Sequence, residues 1–93
     1  MRIDELFWND DNVDHLYHRH HVTVNEVEEI VFGVDGETTM YRVIRDGDFY
    51  VLFGETGDGR LLNIVGEFLG DRRFRVFAAR DMDDREKRSY RKG

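Results

Sequence analysis

Apolar residues in the first third of the chain recur three and four positions apart, and from residue 40 onward the period shortens toward two. Helices are therefore expected first and strands afterwards. Asn9 is a good N-cap, with Asp10 and Asp11 in the first turn, where the positive end of the helix dipole favours them. Val13, Leu16, Tyr17 and His20 then share one helical face. His21 stands where this helix ends and the chain turns through positive φ, a conformation histidine tolerates better than most residues. A second helix follows at once. Thr23 and Glu26 have the spacing of a capping box, and Val22 and Val27 that of a hydrophobic staple. Val24, Val27, Ile30 and Val31 face the core, and Gly33 stops the helix.

Four strands are expected after it: Tyr41 to Arg45, Phe49 to Gly54, Leu61 to Phe68 and Phe74 to Arg80. Asp46-Gly47-Asp48 is a hairpin signal, and short Gly/Asp loops join the remaining strands, which gives an antiparallel meander. Val76, Phe77, Ala78 and Ala79 are apolar on both sides of the last strand, so that strand belongs inside the sheet rather than at an edge. Asp83 and Glu86 repeat the capping-box spacing and open a third helix, which runs to the end through DREKRSYRK. The expected class is α+β in a single domain, residues 1–93: two N-terminal helices, a four-stranded antiparallel sheet and a basic C-terminal helix.

Composition narrows the picture. A chain of 93 residues allows one small domain, and 40% hydrophobic with 13% aromatic residues supplies a core. Cysteine is absent, which removes disulfides and thiolate metal sites, and the lack of proline leaves no candidate linker. The longest apolar runs fall far short of the roughly 20 residues a membrane helix needs. The start MRIDELFWNDD is acidic, unlike a secretory signal, so a cytoplasmic protein without membrane contact is expected. The net charge of -6 argues against nucleic acid until its distribution is seen. Residues 1–59 hold 4 Arg/Lys against 14 Asp/Glu, whereas residues 60–93 hold 10 against 6. A locally basic third on an acidic body is what a polyanion-binding face requires, though a solvated helical tail has the same composition.

The stretch DHLYHRHH holds all four histidines, but helical spacing separates them. His20 falls on the apolar stripe; His15 and His18 project oppositely beside Asp11 and Asp14 and lack a third committed ligand. No metal or cofactor is expected. No P-loop, dinucleotide fingerprint or nucleophile elbow occurs, and Ser89 is the one serine. Gly54, Gly57 and Gly59 join two strands and are best explained by turn chemistry. The arginines carry what remains: Arg60 at a strand-loop junction, Arg72 and Arg73, Arg75 and Arg80 along the last strand, then Arg85, Lys87, Arg88, Arg91 and Lys92. Alternation sends Arg75 and Arg80 to opposite faces unless a bulge intervenes. Glu86 and Tyr90 are helical neighbours, as in an ordinary helix pair and equally as in a carboxylate and a phenol on one working face.

FWNDDNVDHLYHRHHVTVNEVEEIVF resembles the opening of BrnT-type toxins, and FRVFAARDMDDREKRSYRKG resembles that family's close, with Glu86, Lys87, Arg88 and Tyr90 in a Glu-Arg-x-x-Tyr-like motif. Gly57-Asp58-Gly59-Arg60 fits as well. The resemblance implies a RelE/ParE-like fold and a ribonuclease toxin of a type II toxin-antitoxin system, which inhibits translation by metal-independent RNA cleavage. It also implies a hetero-oligomer with a BrnA-like antitoxin. On this reading Arg80, Glu86, Tyr90 and Arg75 are catalytic, and Arg60, Arg88 and His20 contact RNA. The chain departs from the pattern at His21, where the family has glycine, and at Asp81, Asp83 and Asp84, which place negative charge near the proposed site. Two rivals remain: a non-catalytic module whose basic third docks an acidic protein or nucleic acid backbone, and a metal-dependent hydrolase using His15 and His18.

Overall fold

The computed structural model describes residues 2–8, 20–35 and 41–92. One sheet contains β1 (Glu5–Phe7), β2 (Tyr41–Asp46), β3 (Phe49–Glu55), β4 (Leu61–Gly70) and β5 (Arg73–Asp81), in the spatial order β1-β5-β4-β3-β2. Helix α1 (Val24–Phe32) follows β1, and α2 (Asp84–Arg91) follows β5.

The four later strands pair antiparallel as their turn signals require. Gly47, at φ 63, makes the tight connection between Asp46 and Phe49. The sheet is nevertheless not the four-stranded antiparallel one expected. β1 lies parallel beside β5, with Leu6 opposite Phe74 and Phe7 opposite Arg75, which makes the sheet five-stranded and mixed. Nor does a helix open the described part of the chain: a strand, β1, comes before the first described helix. The helix expected from Asn9 lies outside the described residues except for His20.

The physical reason for β1 was visible in β5. A strand apolar on both faces needs a neighbour on each side, and a four-strand meander would have left it at an edge. The Glu-Leu-Phe segment is too short to carry a period of its own, and its pairing depends on residues far along the chain.

Both capping boxes form. Thr23 and Asp83 each accept from the backbone N–H of Glu26 and Glu86, and each glutamate accepts from its cap residue's N–H in return. His21 adopts φ 55, as the turn between segments demands. Val22, Val27, Ile30 and Val31 pack with Ile3, Leu52, Leu62, Ile64, Phe74, Val76 and Ala79 on one face of the sheet. Each large apolar side chain fully buried there contributes about 1.5–3 kcal/mol. On the opposite face Val51, Phe53, Leu61 and Met82 form a smaller cluster, joined by Tyr90 of α2. Arg42 ties the end of α2 to β2 by donating to the carbonyls of Ser89 and Tyr90 at 3.2 and 3.4 Å.

One irregularity decides the rest. Between β4 and β5 the register jumps from Val65 opposite Ala78 to Gly66 opposite Val76, so Phe77 is an extra residue in β5. Gly66 makes this possible, because a Cβ there would collide with the Arg75 carbonyl and press on the Phe74 ring at 2.6 Å. The bulge shifts the alternation of β5 by one residue. Arg75, opposite Glu67, and Arg80, opposite Asn63, therefore project from the same face as the Met82 cluster.

Candidate functional site

Arg80 leaves the end of β5 and meets Glu86 in the first turn of α2. Its two terminal nitrogens donate to the two carboxylate oxygens at 2.7 and 3.0 Å, the two-pronged geometry that fixes a guanidinium plane. Nη1 also donates to the Asp81 carbonyl at 3.0 Å. Glu86 accepts in addition from Asn63 Nδ2 at 2.7 Å and from the Asp83 N–H at 3.0 Å. Asn63 sits inside β4 at 4% exposure, and its Oδ1 is buried without a hydrogen-bond partner. An amide turned the other way would aim that oxygen at the carboxylate, so the donor must face Glu86. Glu86 is thereby held from three directions. Arg80 still retains its Nε–H and one Nη2–H without a hydrogen bond among the described residues, and its side chain is 43% exposed.

Arg60 is different. Its Nε and Nη2 grip Asp81 at 2.7 and 3.2 Å. Nη1 donates to Glu26, at 3.0 Å to the nearer oxygen, and to the His21 carbonyl at 2.8 Å; Nη2 also reaches the His20 carbonyl at 3.0 Å. All five guanidinium N–H groups are spent inside the chain. The loop before it is equally closed: Thr56 Oγ1 accepts from the Arg60 N–H, and the Gly59 N–H donates to the Thr56 carbonyl. Arg60 thus clasps the start of α1 and the end of β5 on the face opposite Arg80. The backbone of His20 belongs to that clasp.

Among the other residues singled out from sequence, Arg75 pairs with Glu67 across the strands at 3.3 Å. Tyr90 packs against the Met82 cluster with the Arg42 guanidinium 5.8 Å from its ring centre. Arg88 is exposed on α2. The structure therefore brings together Arg80 and Glu86, sets Arg75 on their face, and gives Arg60 and His20 to a second cluster. His15 and His18 lie outside the described residues. Sequence reasoning missed Asn63, and it missed Arg60 as the partner of Glu26 and Asp81. Asn63 carried a signal of its own, as the polar residue between Leu62 and Ile64 in an apolar run.

The hydrogen bonds from Arg80 hold the Glu86 carboxyl below its ordinary value of 4.5, with the Asp83 N–H and Asn63 assisting and burial opposing. Burial likewise opposes at Glu26, where the Thr23 N–H and Arg60 prevail and the value falls. Arg60 lowers Asp81. Folding therefore favours the ionised forms, so this stability is present above the unfolded-state values and is lost as pH falls through the folded ones. The urea midpoint is expected to stay level from neutral pH down to about pH 5 and to fall steeply below about pH 4. Glu86→Gln, which has nothing to ionise, should flatten part of that fall; an unchanged acid limb would mean the pair does not contribute.

Asn63 offers a second check. Asn63→Leu removes the orphaned oxygen and deletes one donor to Glu86, so urea unfolding should place its stability within about 1 kcal/mol of the parent. A loss of several kcal/mol would mean that Asn63 holds the fold rather than the Glu86 carboxylate.

The fold is one already seen among solved toxin structures. The crystal structure of the Brucella abortus ribonuclease toxin BrnT matches with a TM-score of 0.65 and 12% sequence identity, over 86% of this chain and 97% of that one. The resemblance read from the termini thus holds at the level of the fold. No protein-family model and no curated protein matches the chain. No helix among the described residues is long and apolar enough to cross a membrane.

Proposed function

We propose that this protein is a metal-independent endoribonuclease toxin, held inactive by a cognate antitoxin of the BrnA kind in a hetero-oligomer. The observation that carries the reading is Arg80, locked in plane by Glu86 yet keeping two N–H donors unspent among the described residues, on the same face as Arg75 in a fold shared with a ribonuclease toxin.

In the reaction the 2′-oxygen of a ribose attacks the adjacent phosphorus and the bond to the 5′-oxygen breaks. The products are a 2′,3′-cyclic phosphate and a 5′-hydroxyl. One proton leaves the 2′-oxygen and one arrives at the departing 5′-oxygen, so no net proton or water is consumed in the step. Arg80, supported by Arg75, stabilises the charge that accumulates on the phosphorane oxygens. Glu86 is ionised at neutral pH and its lowered basicity suits it first to orienting Arg80; being ionised, it can accept a proton from the 2′-oxygen but cannot donate one. Tyr90 is the proton-donor candidate on the same helix, and Arg88 an outer contact for RNA. Alignment of the bound 2′-oxygen with the scissile bond supplies much of the acceleration.

Inducing the chain alone, and with its adjacent reading frame, tests this. Growth arrest relieved by the neighbour, with RNA cut by purified protein in chelator, supports the reading; a soluble protein that neither arrests growth nor cuts RNA overturns it. One observation favours the non-catalytic binding module instead: Glu86, Glu67 and Asp81 already pair with Arg80, Arg75 and Arg60. That reading predicts salt-sensitive binding without any cleavage.

A further inference from the structure

Helix α2 covers only one end of its sheet face. Among the described residues nothing else covers that face, and aromatic rings collect on it. Four large apolar side chains are exposed among the described residues, and strand register sets three of them, Phe7, Ile44 and Phe49, on this face. Phe49 of β3 meets Phe77 of β5 edge to face, with ring centres 5.4 Å apart, so the two rings arch over β4. Phe77 is the bulge residue itself. Beside the rings, β5 lines up Arg73, Arg75 and Arg80 on one side, and the Arg73 guanidinium lies 5.9 Å from the centre of the Phe7 ring.

We propose that this face is a track for single-stranded RNA, in which the β5 arginines take phosphates spaced along the nucleic acid chain and the exposed ring of Phe49, braced by Phe77, takes an unstacked base. The proposal rests on the ribonuclease reading and extends it from the scissile phosphate to the neighbouring nucleotide. Three features favour RNA over a protein partner. The exposed apolar surface is mostly ring rather than aliphatic, and base stacking needs a ring, whereas protein docking needs only apolar area. The arginines form a row about 3.3 Å per residue along one strand and continuous with Arg80, so a chain held at Arg80 must cross the rings. The carboxylates bound the face: Glu67 and Glu86 are paired with arginines, Glu5 stands beside Arg73 at the β1 edge, and Asp46 stands at the β2 edge beyond Phe49, which confines phosphates to the strip between the two edges.

The test uses the full-length protein and a short labelled single-stranded RNA with 2′-O-methyl groups, which binds but lacks the attacking hydroxyl. Phe49 is 47% exposed, so Phe49→Leu keeps apolar area and fold while losing the ring; a thermal melt verifies this. The expected result is roughly tenfold weaker binding, with the loss in cleavage of ordinary RNA appearing in KM rather than kcat. Arg75→Ala should in addition lower the slope of log K against log salt by about one. Unchanged RNA binding by Phe49→Leu overturns the platform even where the parent protein cuts RNA. Unchanged RNA binding combined with lost neutralisation by the antitoxin in Phe49→Asp also overturns it and makes the belt a protein interface. Ring-dependent RNA binding by a protein that never cuts supports the track and removes the catalytic reading instead.

Discussion

Arg80→Ala is expected to abolish growth arrest and to slow RNA cleavage by about 10²- to 10³-fold, the usual cost of removing one pre-positioned donor from a charge-stabilising site. The side chain is 43% exposed and packs no core, so the variant should fold, with Glu86 still held by Asn63 and the Asp83 N–H. Arg80→Lys keeps the charge but forfeits the two-pronged hold, and intermediate activity is expected. Single-turnover cleavage of a defined RNA at saturating enzyme measures both. Cleavage by Arg80→Ala at the parental rate would remove Arg80 from the chemistry. Equal loss in the alanine and lysine variants would point to geometry rather than charge as the main contribution.

Arg60→Met should fail differently, through stability. It preserves an apolar stem but deletes every donor of the clasp. Glu26 and Asp81 lose their cation, and the His20 and His21 carbonyls lose their partner. Hydrogen bonds to charged groups contribute about 1.5–3 kcal/mol each, discounted here because Asp81 is largely exposed. A net loss of about 2–4 kcal/mol is expected, lowering the melting temperature by roughly 10–25 °C in a domain of this size. Activity lost in Arg60→Met should return on cooling, whereas activity lost in Arg80→Ala should not. A melting temperature unchanged by Arg60→Met would mean that the clasp is open in solution and Arg60 is available to RNA.

These two arginines looked alike in the chain. Each stands close to the end of a strand, Arg60 just before β4 and Arg80 near the close of β5, and both were given a role at the site. What separates them is the count of donors left over. Arg60 spends all of its N–H groups on partners drawn from three other parts of the chain, while Arg80 spends three contacts on a single helix turn and the adjacent carbonyl. The count depends on which segments meet, and spacing along a sequence does not contain it. Glu26 and Glu86 show the same limit from the other side. Both were recognisable as capping-box glutamates from a three-residue spacing, and both boxes form. Each also receives an arginine, Glu26 from 34 positions away, and nothing local announces that partner.

The sequence by itself determined the elements whose causes lie within a few residues: α1 and α2 with their caps, the hairpin at Gly47, the four antiparallel strands, the positive φ at His21, and the need of β5 for neighbours on both sides. Those follow from periodicity, turn stereochemistry and short-range hydrogen bonds. Only the tertiary structure decided that Glu5–Phe7 supplies the missing neighbour of β5, that Arg60 is a clasp, and that Arg75 and Arg80 share a face. The last depends on Phe77 bulging opposite Gly66, a choice made by the fit of two strands against each other and therefore invisible in either strand alone.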